Sequence, residues 1–489
     1  MSLLDRLSGL FKGREEFELT EGGIAKPLFY LSLPIIVTNL LQTAYNLIDT
    51  FWLGQYSTEA LAAISFAFPM VFLLISVGMG LSVAGSVLVA QHIGADEESE
   101  AEYAASQTVA LSLIGAVILG LVGFAFVEEL LALLGASPDV LPLATDYMQV
   151  ISLGMAFMFG FFVFIALMRG YGDTITPMLV MFGSVVLNVI LDPFLIFGWT
   201  VVENAPLVGT ISFPELGIQG AAIATVFSRA LALVVGLAIM FRGTRGVRIR
   251  LQQMRPDLSF AKKLVSIGFP ASIEGMGRAL SINLLLVIVG LFPTYVVAAY
   301  GIGTRVFSVI FLPAIAVARG VETMTGQNVG ADKPDRAEAA ADFAAKVMFV
   351  VLGVLGVVAW LAAEPITAAF TDDPEVIEVG VTFLRYVAPS FGFIGVMRAY
   401  NGSFRGTGKT LTAAAIVLVT YALVRLPIAY GLSQTSLEYR GIWIAFAASN
   451  VVGAGLAYAW YRRGTWRSAD VTDDPAAPAI GEPDASTDD

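Results

Sequence analysis

The sequence predicts an all-α membrane protein with 12 transmembrane helices, arranged as two six-helix lobes that are related by a parallel internal repeat. Three observations support this prediction: an apolar composition, a series of long apolar segments, and motifs that occur twice. Of the 489 residues, 57% are hydrophobic and only 14% are charged, whereas soluble proteins carry about 25% charged residues. Most of the chain is therefore expected to lie in a lipid bilayer.

Twelve segments are long and apolar enough to cross a membrane, because a helix needs roughly 20 apolar residues to span a hydrocarbon core about 30 Å thick. Their apolar runs are continuous and do not alternate with polar residues, which excludes a transmembrane β-barrel. The predicted spans are 27–53, 60–86, 104–127, 143–168, 175–199, 217–241, 265–291, 295–325, 339–362, 379–401, 411–431 and 441–461.

Lysine and arginine are concentrated in alternate connections between these spans. They occur in the N-terminal segment, after spans 4, 6, 8 and 10, and after span 12, whereas the opposite connections contain only Arg440. Basic loops stay in the cytoplasm, so both termini are predicted to be cytoplasmic in a multi-pass protein of the plasma membrane. The predicted parts are an N-terminal segment (1–26), an N-lobe (27–241), an inter-lobe loop (242–264), a C-lobe (265–461) and an acidic, disordered tail (462–489).

Two loop motifs occur twice with the same displacement of 236 residues. The sequence at Gln91–Asp96 returns at Gln327–Asp332, and that at Arg169–Thr174 returns in a similar form at Arg405–Thr410. Each half contains six spans, an even number, so both halves start on the same side of the membrane. This is a parallel repeat about an axis along the membrane normal, and transporters with this architecture bind substrate at the repeat interface and rock between two open states.

The repeat is broken by two aspartates that occur in the N-lobe alone. Asp49 corresponds to Leu285, and Asp192 corresponds to Ile428. A charged side chain inside a span costs about 2.5–3.5 kcal/mol on insertion scales, and it normally faces a cavity or a partner. A scaffold requirement would apply to both halves, so the asymmetry favours a functional role; the alternative is two interfacial aspartates near helix ends.

These aspartates lie with two neutral ligands in a predicted cation site. Asp49, Asp192 and Thr225 are each expected roughly 6–12 Å below the outer surface, at 1.5 Å per residue. Asn188 precedes Asp192 by four residues and so shares its helix face. Carboxylate, amide and hydroxyl oxygens suit Na⁺, and two close carboxylates disfavour double ionisation and so suit a proton. The expected coupling ion is H⁺ or Na⁺, with no other cofactor and no catalytic residue.

Other polar and flexible side chains are candidates for a substrate cavity in the N-lobe. Polar residues spaced by 3, 4 and 3 form a stripe down span 1 that ends at Asp49. Methionine thioethers suit pockets that accept many shapes, although ordinary packing explains them equally well. The cavity candidates are Asn39, Gln42, Asn46, Met70 and Met181.

The C-lobe contains further charged residues within or near its spans. Glu274 and Arg278 are four residues apart in span 7, and we expect a structural ion pair between them. The roles of Arg398, Asn401 and Arg425 stay open.

Five segments together resemble the multidrug and toxic compound extrusion (MATE) transporters. The segments are 33–54, 91–96, 169–177, 188–193 and 217–225, and the resemblance extends over roughly residues 20–465. The combination of Asp49 with Asn188 and Asp192 is most similar to the DinF-like and archaeal branch of that family. The acid-rich, lysine-poor polar parts also suggest a halophile, with an ordinary acidic tail as the alternative.

The resemblance implies a function and a role for each site residue. It implies that Asp49, Asn188, Asp192 and Thr225 form the N-lobe cation site and that Pro34 is a hinge in span 1. It further implies antiport, in which an organic cation or similar amphiphile leaves as H⁺ or Na⁺ enters. The expected partners are these small substrates and the lipid bilayer, with no nucleic acid, and the protein is expected to be a monomer.

Two other functions are considered. A flippase for lipid-linked oligosaccharides would share the superfamily and fold. Its cavity should be strongly basic to hold pyrophosphate, whereas the basic residues noted within the predicted spans are few (Arg278, Arg398 and Arg425). A membrane enzyme is disfavoured, because no Ser/His arrangement, His cluster or metalloprotease motif occurs. The glycine-rich segment 406–410 lacks the first glycine of a phosphate-binding loop.

Overall fold

A computed structural model describes residues 12–133, 136–205 and 209–467 of the chain. Eleven of its helices are long and apolar enough to cross a membrane, and one bent pair of helices supplies a twelfth span. The predicted number of spans is therefore confirmed. The first eleven residues of the predicted N-terminal segment and the predicted acidic tail beyond residue 467 lie outside the described residues.

The helices generally extend beyond the predicted apolar segments at their ends, because polar residues there continue the helix outside the hydrocarbon. Spans 1 to 6 are Ala25–Tyr56, Thr58–Gly94, Glu98–Leu133, the pair Leu141–Leu153 and Met155–Tyr171, Ile175–Phe197 and Gly217–Arg242. Spans 7 to 12 are Leu258–Val289, Thr294–Gly330, Pro334–Leu361, Pro374–Gly406, Thr410–Ser433 and Tyr439–Tyr461. Short helices occur at Arg14–Glu16, Leu251–Met254 and Ala363–Ala368.

Three spans depart from a regular α-helix. Span 4 bends by 55° around Gly154, where a Cβ would overlap the side chain of Val226 in span 6. Span 10 contains a 3₁₀ turn at Ala388–Ser390, and span 11 contains a π-helical segment at Val419–Arg425. By contrast, span 1 is continuous through Pro34.

A β-hairpin joins spans 5 and 6, in the connection between the predicted spans 175–199 and 217–241. Strand β1 (Trp199–Ala205) pairs antiparallel with β2 (Gly209–Phe213). Threonine, valine, isoleucine and aromatic residues supply most of the two strands, and these residue types favour extended backbone. The hairpin adds to the fold without changing the all-helical membrane part.

The two lobes contact each other at the end of the bundle that the basic loops predict to be cytoplasmic. Spans 2 and 8, which are equivalent in the repeat, cross there at two glycines. A Cβ at Gly94 would overlap the carbonyl oxygen of Gln327, and a Cβ at Gly330 would overlap that of Gln91. Only glycine permits this backbone approach, so the repeated Q-x-x-G-A-D motif forms one of the contacts between the lobes.

Candidate functional site

Spans 1, 5 and 6 bring the four residues of the predicted cation site together. Asp49, Asn188, Asp192 and Thr225 are all buried, with at most 4% of each residue exposed. Thr225 Oγ1 donates to Asp49 Oδ2 at 3.4 Å, and Asn188 Nδ2 donates to Asp192 Oδ1 at 3.0 Å. The carboxyl groups of Asp49 and Asp192 are close enough to interact directly.

Three oxygens of this group have no hydrogen-bond donor among the described residues. They are Asp49 Oδ1, Asn188 Oδ1 and Asp192 Oδ2, and all three are buried. A buried carboxylate oxygen without a donor is energetically costly. A proton shared between the carboxyl groups would remove this cost, and so would a small hard cation bound by their oxygens. The donor set therefore fits either H⁺ or Na⁺.

Arg229 is a member of this region that the sequence analysis did not consider. It is 2% exposed and lies four residues after Thr225 in span 6, on the same face of the helix. Its Nη2 donates to Gln42 Oε1 at 2.8 Å, and its Nη1 lies 2.9 Å from Met181 Sδ. The guanidinium also stacks over Tyr45, at 4.6 Å from the ring centre.

The position of Arg229 supplies a fixed positive charge to the site. The guanidinium interacts electrostatically with Asp49 but makes no hydrogen bond to either aspartate among the described residues. It can therefore offset the negative charge of ionised carboxylates without occupying their free oxygens. The sequence already indicates such a role, because Arg229 is a charged residue within an apolar segment, one helical turn after Thr225.

The predicted cavity candidates have different surroundings in the structure. Gln42 and Met181 contact Arg229, as described above. Asn46 is exposed and accepts a hydrogen bond from Gln42 Nε2 at 3.2 Å, and the Nδ2 atom of Asn39 is buried without a described acceptor. Met70 is buried in an apolar core cluster of the N-lobe, together with Met158. Met70 therefore packs against other core residues.

Glu274 pairs with Arg405, and the predicted ion pair with Arg278 is wrong. Arg405 Nη1 lies 3.1 Å from Glu274 Oε1, and Arg405 Nε donates to Glu322 Oε2 at 3.0 Å. Four residues of helix bring Glu274 and Arg278 to one face, but Arg405 of span 10 lies closer and binds the buried carboxylate. Glu322 also accepts a hydrogen bond from Arg319 at 2.8 Å.

The MatE family profile matches this chain twice, at residues 34–194 and 270–431. The chain belongs to the MatE family. The two matches start 236 residues apart, which is the displacement of the repeated motifs. The profile thus extends the internal repeat beyond those motifs to most of each lobe.

Relatives of this MatE chain match it over nearly its whole length. The probable multidrug resistance protein YoeA of Bacillus subtilis is 27% identical over 445 residues, which are 90% of this chain and 94% of the relative. The FAD transporter of Shewanella oneidensis is 29% identical over 442 residues, with the same coverage of 90% and 94%. Multidrug export protein MepA of Staphylococcus haemolyticus is 25% identical over 444 residues, again 90% and 94%.

Solved MatE structures share the fold of this chain. An outward-facing multidrug resistance MATE transporter superposes with a TM-score of 0.83 at 24% identity, over 93% of this chain and 98% of its own. A MOP superfamily transporter from Pyrococcus furiosus, described with a binding pocket of reverse polarity, superposes with a TM-score of 0.82 at 24% identity and the same coverage. These likenesses confirm the two-lobed helical membrane fold.

Proposed function

We propose that this MatE-family chain is a secondary active efflux antiporter of the DinF-like branch, driven by H⁺ or Na⁺ that binds at Asp49 and Asp192. Relatives named as multidrug resistance and export proteins support the export of small amphiphilic compounds. A relative named as an FAD transporter supports substrates other than organic cations. In this proposal the protein works as a monomer in the plasma membrane, with both termini in the cytoplasm.

The observation that carries the proposal is the pair of buried carboxyl groups with free oxygens. Asp49 Oδ1 and Asp192 Oδ2 have no described donor, so the pair is expected to be most stable when it holds a cation. Spans 1 and 5 carry one aspartate each, and the bound cation therefore links these two helices. Binding and release of the ion would alter how span 1 packs in the N-lobe, with Pro34 as the hinge.

The coupling follows from the cycle of charge at this site. From the outside, a cation neutralises the carboxyl pair, and the lobes then rock to expose the site to the cytoplasm. Release of the ion there leaves the carboxylates ionised, with Arg229 as the nearby compensating charge. Export of substrate returns the protein to its first state. A ligand can shift such an equilibrium only through its different affinities for the two states.

Transport in proteoliposomes tests this proposal, with Na⁺ and pH gradients imposed independently. Asp49→Asn and Asp192→Asn preserve size and polarity but remove the charge, so each should abolish gradient-driven export while the protein still folds and inserts. Asp139→Asn is the matched control, because Asp139 is an exposed acid of the same lobe. Normal gradient-driven export by both aspartate variants would refute the N-lobe coupling site.

The oligosaccharide flippase is the alternative, and the same assay separates the two functions. A flippase would move a fluorescent lipid-linked sugar between the leaflets and would not need a gradient of H⁺ or Na⁺ across the N-lobe site. Export that requires such a gradient supports the antiporter. Lipid movement that is unaffected by Asp49→Asn supports the flippase.

A further inference from the structure

A second cavity lies in the C-lobe, away from the N-lobe cation site. Its volume is about 370 Å³, and it is bounded by spans 7, 8, 11 and 12, with Phe72 of span 2 on the N-lobe side. A smaller space of about 170 Å³ shares Phe72, Arg278 and Ile315 with it and continues towards Glu274. Ligand sites in proteins have volumes of about 300–1,000 Å³ and mostly apolar walls with a few polar groups.

Three arginines at this cavity have no carboxylate partner among the described residues. Arg278 and Arg425 line the larger space, and Arg278 and Arg398 line the smaller one. Arg398 is 5% exposed, and its Nε and Nη2 atoms have no described acceptor. The nearest acid, Glu274, is already bound by Arg405. The cavity therefore carries an excess of positive charge that the surrounding protein does not neutralise.

Aromatic rings stack against two of these guanidinium groups, those of Arg398 and Arg425. Arg425 lies 4.5 Å from the ring centre of Tyr421 and 4.3 Å from that of Phe446, while its nitrogens donate to Ser449 and Asn450. Arg398 lies 4.5 Å from the ring centre of Phe311. Stacking and hydrogen bonds hold Arg425 in place, and stacking holds Arg398, so the charge of these two residues is preorganised for a ligand.

The backbone of span 11 is irregular at the residues that face this cavity. Tyr421 and Arg425 both belong to the π-helical segment Val419–Arg425, whereas the repeat-equivalent span 5 is an ordinary α-helix. Single π-helical turns occur frequently at functional sites, where they change the direction in which side chains point. The C-lobe thus differs from the N-lobe both in backbone and in charge.

The repeat relates residues of this cavity to residues near the cation site, and the related residues differ in charge. Leu285, which lines the cavity, is the residue 236 positions after Asp49, and Arg278 is the residue 236 positions after Gln42. Where the N-lobe has a buried acid, the C-lobe has an apolar wall, and where the N-lobe has a neutral amide, the C-lobe has a guanidinium. Equivalent regions of the two lobes therefore suit ligands of opposite charge.

We propose that the C-lobe cavity is a substrate site, and that its substrate is an aromatic anion: a planar ring system bearing a carboxylate, sulfonate or phosphate group. Arg278 and Arg425 bind the anionic group, Arg398 adds positive charge from the adjoining smaller space, and Phe72, Phe307 and Tyr421 contact the ring. This inference rests on the proposed transport function and replaces the organic cation expected from the sequence.

Binding of two dyes with the same ring system and opposite charge tests the inference. Carboxyfluorescein is an anion and rhodamine 6G is a cation, and fluorescence polarisation gives the Kd of each for the purified protein in nanodiscs. We expect the anion to bind at least about tenfold more tightly than the cation, because like charge disfavours rhodamine in this cavity. Arg278→Gln should weaken carboxyfluorescein binding by about tenfold or more and leave rhodamine binding unchanged or stronger.

Several variants keep this result interpretable. Arg278 makes no described hydrogen bond, so Arg278→Gln is expected to fold, and Arg425→Lys retains the charge while removing the stacked guanidinium. Arg385→Gln is the control, since Arg385 is exposed and stacks on Trp360 at 5.9 Å from its ring centre. Tighter binding of rhodamine than of carboxyfluorescein, or unchanged anion binding by Arg278→Gln, would overturn the inference.

Competition experiments distinguish a soluble aromatic anion from a lipid headgroup. Naphthalene sulfonate should displace carboxyfluorescein. If inorganic pyrophosphate displaces the dye and naphthalene sulfonate does not, the site does not require an aromatic ring, and the result would instead indicate a phosphate headgroup as the ligand. Binding needs no ion gradient, so Asp49→Asn should still bind the anion. If the N-lobe coupling site were refuted, anion binding in the C-lobe would still stand. If anion binding in the C-lobe were refuted, the N-lobe coupling site would still stand.

Discussion

Gln91 of span 2 donates a hydrogen bond from Nε2 to the carbonyl oxygen of Gly406 at 2.9 Å, joining the two lobes. Its repeat equivalent, Gln327, donates in the same way to Gly170 at 3.0 Å. Because Gly170 and Gly406 are themselves equivalent, each lobe provides one donor and one acceptor to a symmetric contact. The two repeated motifs of the sequence therefore bind each other across the lobe interface.

These two amides are predicted to hold the cytoplasmic end of the bundle closed. The double variant Gln91→Leu/Gln327→Leu removes the hydrogen bonds to Gly406 and Gly170, and also the one that Gln327 donates to the carbonyl oxygen of Tyr171. Each has a net contribution of about 0.5–1.5 kcal/mol, so the variant should favour opening by roughly tenfold or more. A cysteine introduced at the buried Ser86 should then react faster with maleimide in inside-out vesicles. Gln434→Ala, which removes an amide elsewhere, should leave the labelling rate unchanged, and equal rates in all variants would contradict the prediction.

Glu274 should be essential to the stability of the C-lobe, while Arg278 should not. Glu274→Gln removes one of the two carboxylates that bind Arg405 and leaves Glu322 as the other. Breaking a buried ion pair costs about 3–5 kcal/mol when the remaining charge is left unpaired, so the loss of stability should be a substantial part of that value. Arg278→Gln should change the melting temperature little, because Arg278 makes no salt bridge among the described residues. Exchanging the two residues should also prevent folding, since it brings a second guanidinium against Arg405. A stable, active exchanged variant would show that Glu274 and Arg278 act as a local pair.

Much of the membrane topology followed from composition, because hydrocarbon imposes long apolar helices on any chain that crosses it. The grouping of Asp49 with Asp192 could also be anticipated, since both break the repeat at similar depth. The partner of Glu274 could not, because Arg405 is distant in sequence and only tertiary packing brings it near. The C-lobe cavity was missed for a related reason: Arg278 and Arg425 lie on different spans, and one sequence does not show that they line the same cavity.

Arg229 is predicted to lower the affinity of the N-lobe site for its cation. Its positively charged guanidinium lies near Asp49 and repels a cation that is bound there. Arg229→Gln should therefore bind the coupling ion about tenfold more tightly and release it more slowly, as expected for a partly screened charge at short range. Isothermal titration with Na⁺, repeated at several pH values, measures the affinity. Arg385→Gln controls for the loss of one positive charge. Weaker cation binding by Arg229→Gln would show that Arg229 instead positions the ligands.

The predicted orientation can be measured directly, because the natural chain contains no cysteine. Single cysteines at Thr58 and Asp373 should react with an impermeant maleimide added to intact cells, since Thr58 begins span 2 and Asp373 precedes span 10 at the predicted outer end. A cysteine at Ala95, which follows span 2 at the opposite end, should react only after the membrane is made permeable. Labelling of Ala95 from outside would reverse the orientation of the protein.

The neutral ligands of the N-lobe site should identify the coupling ion. Na⁺ uses several oxygens at once, whereas a proton needs only one carboxylate oxygen. Thr225→Ala and Asn188→Ala keep both acids, so they should weaken coupling to Na⁺ by about tenfold, as expected for the loss of one well-placed polar contact, but should change coupling to H⁺ little. Transport driven separately by a Na⁺ and a pH gradient measures each effect in the same vesicles. Thr420→Ala is the control, because its buried hydroxyl donates to Ile416 in the other lobe. If Thr225→Ala couples normally under both gradients, Thr225 does not ligate the ion, and the site consists of the two carboxyl groups alone.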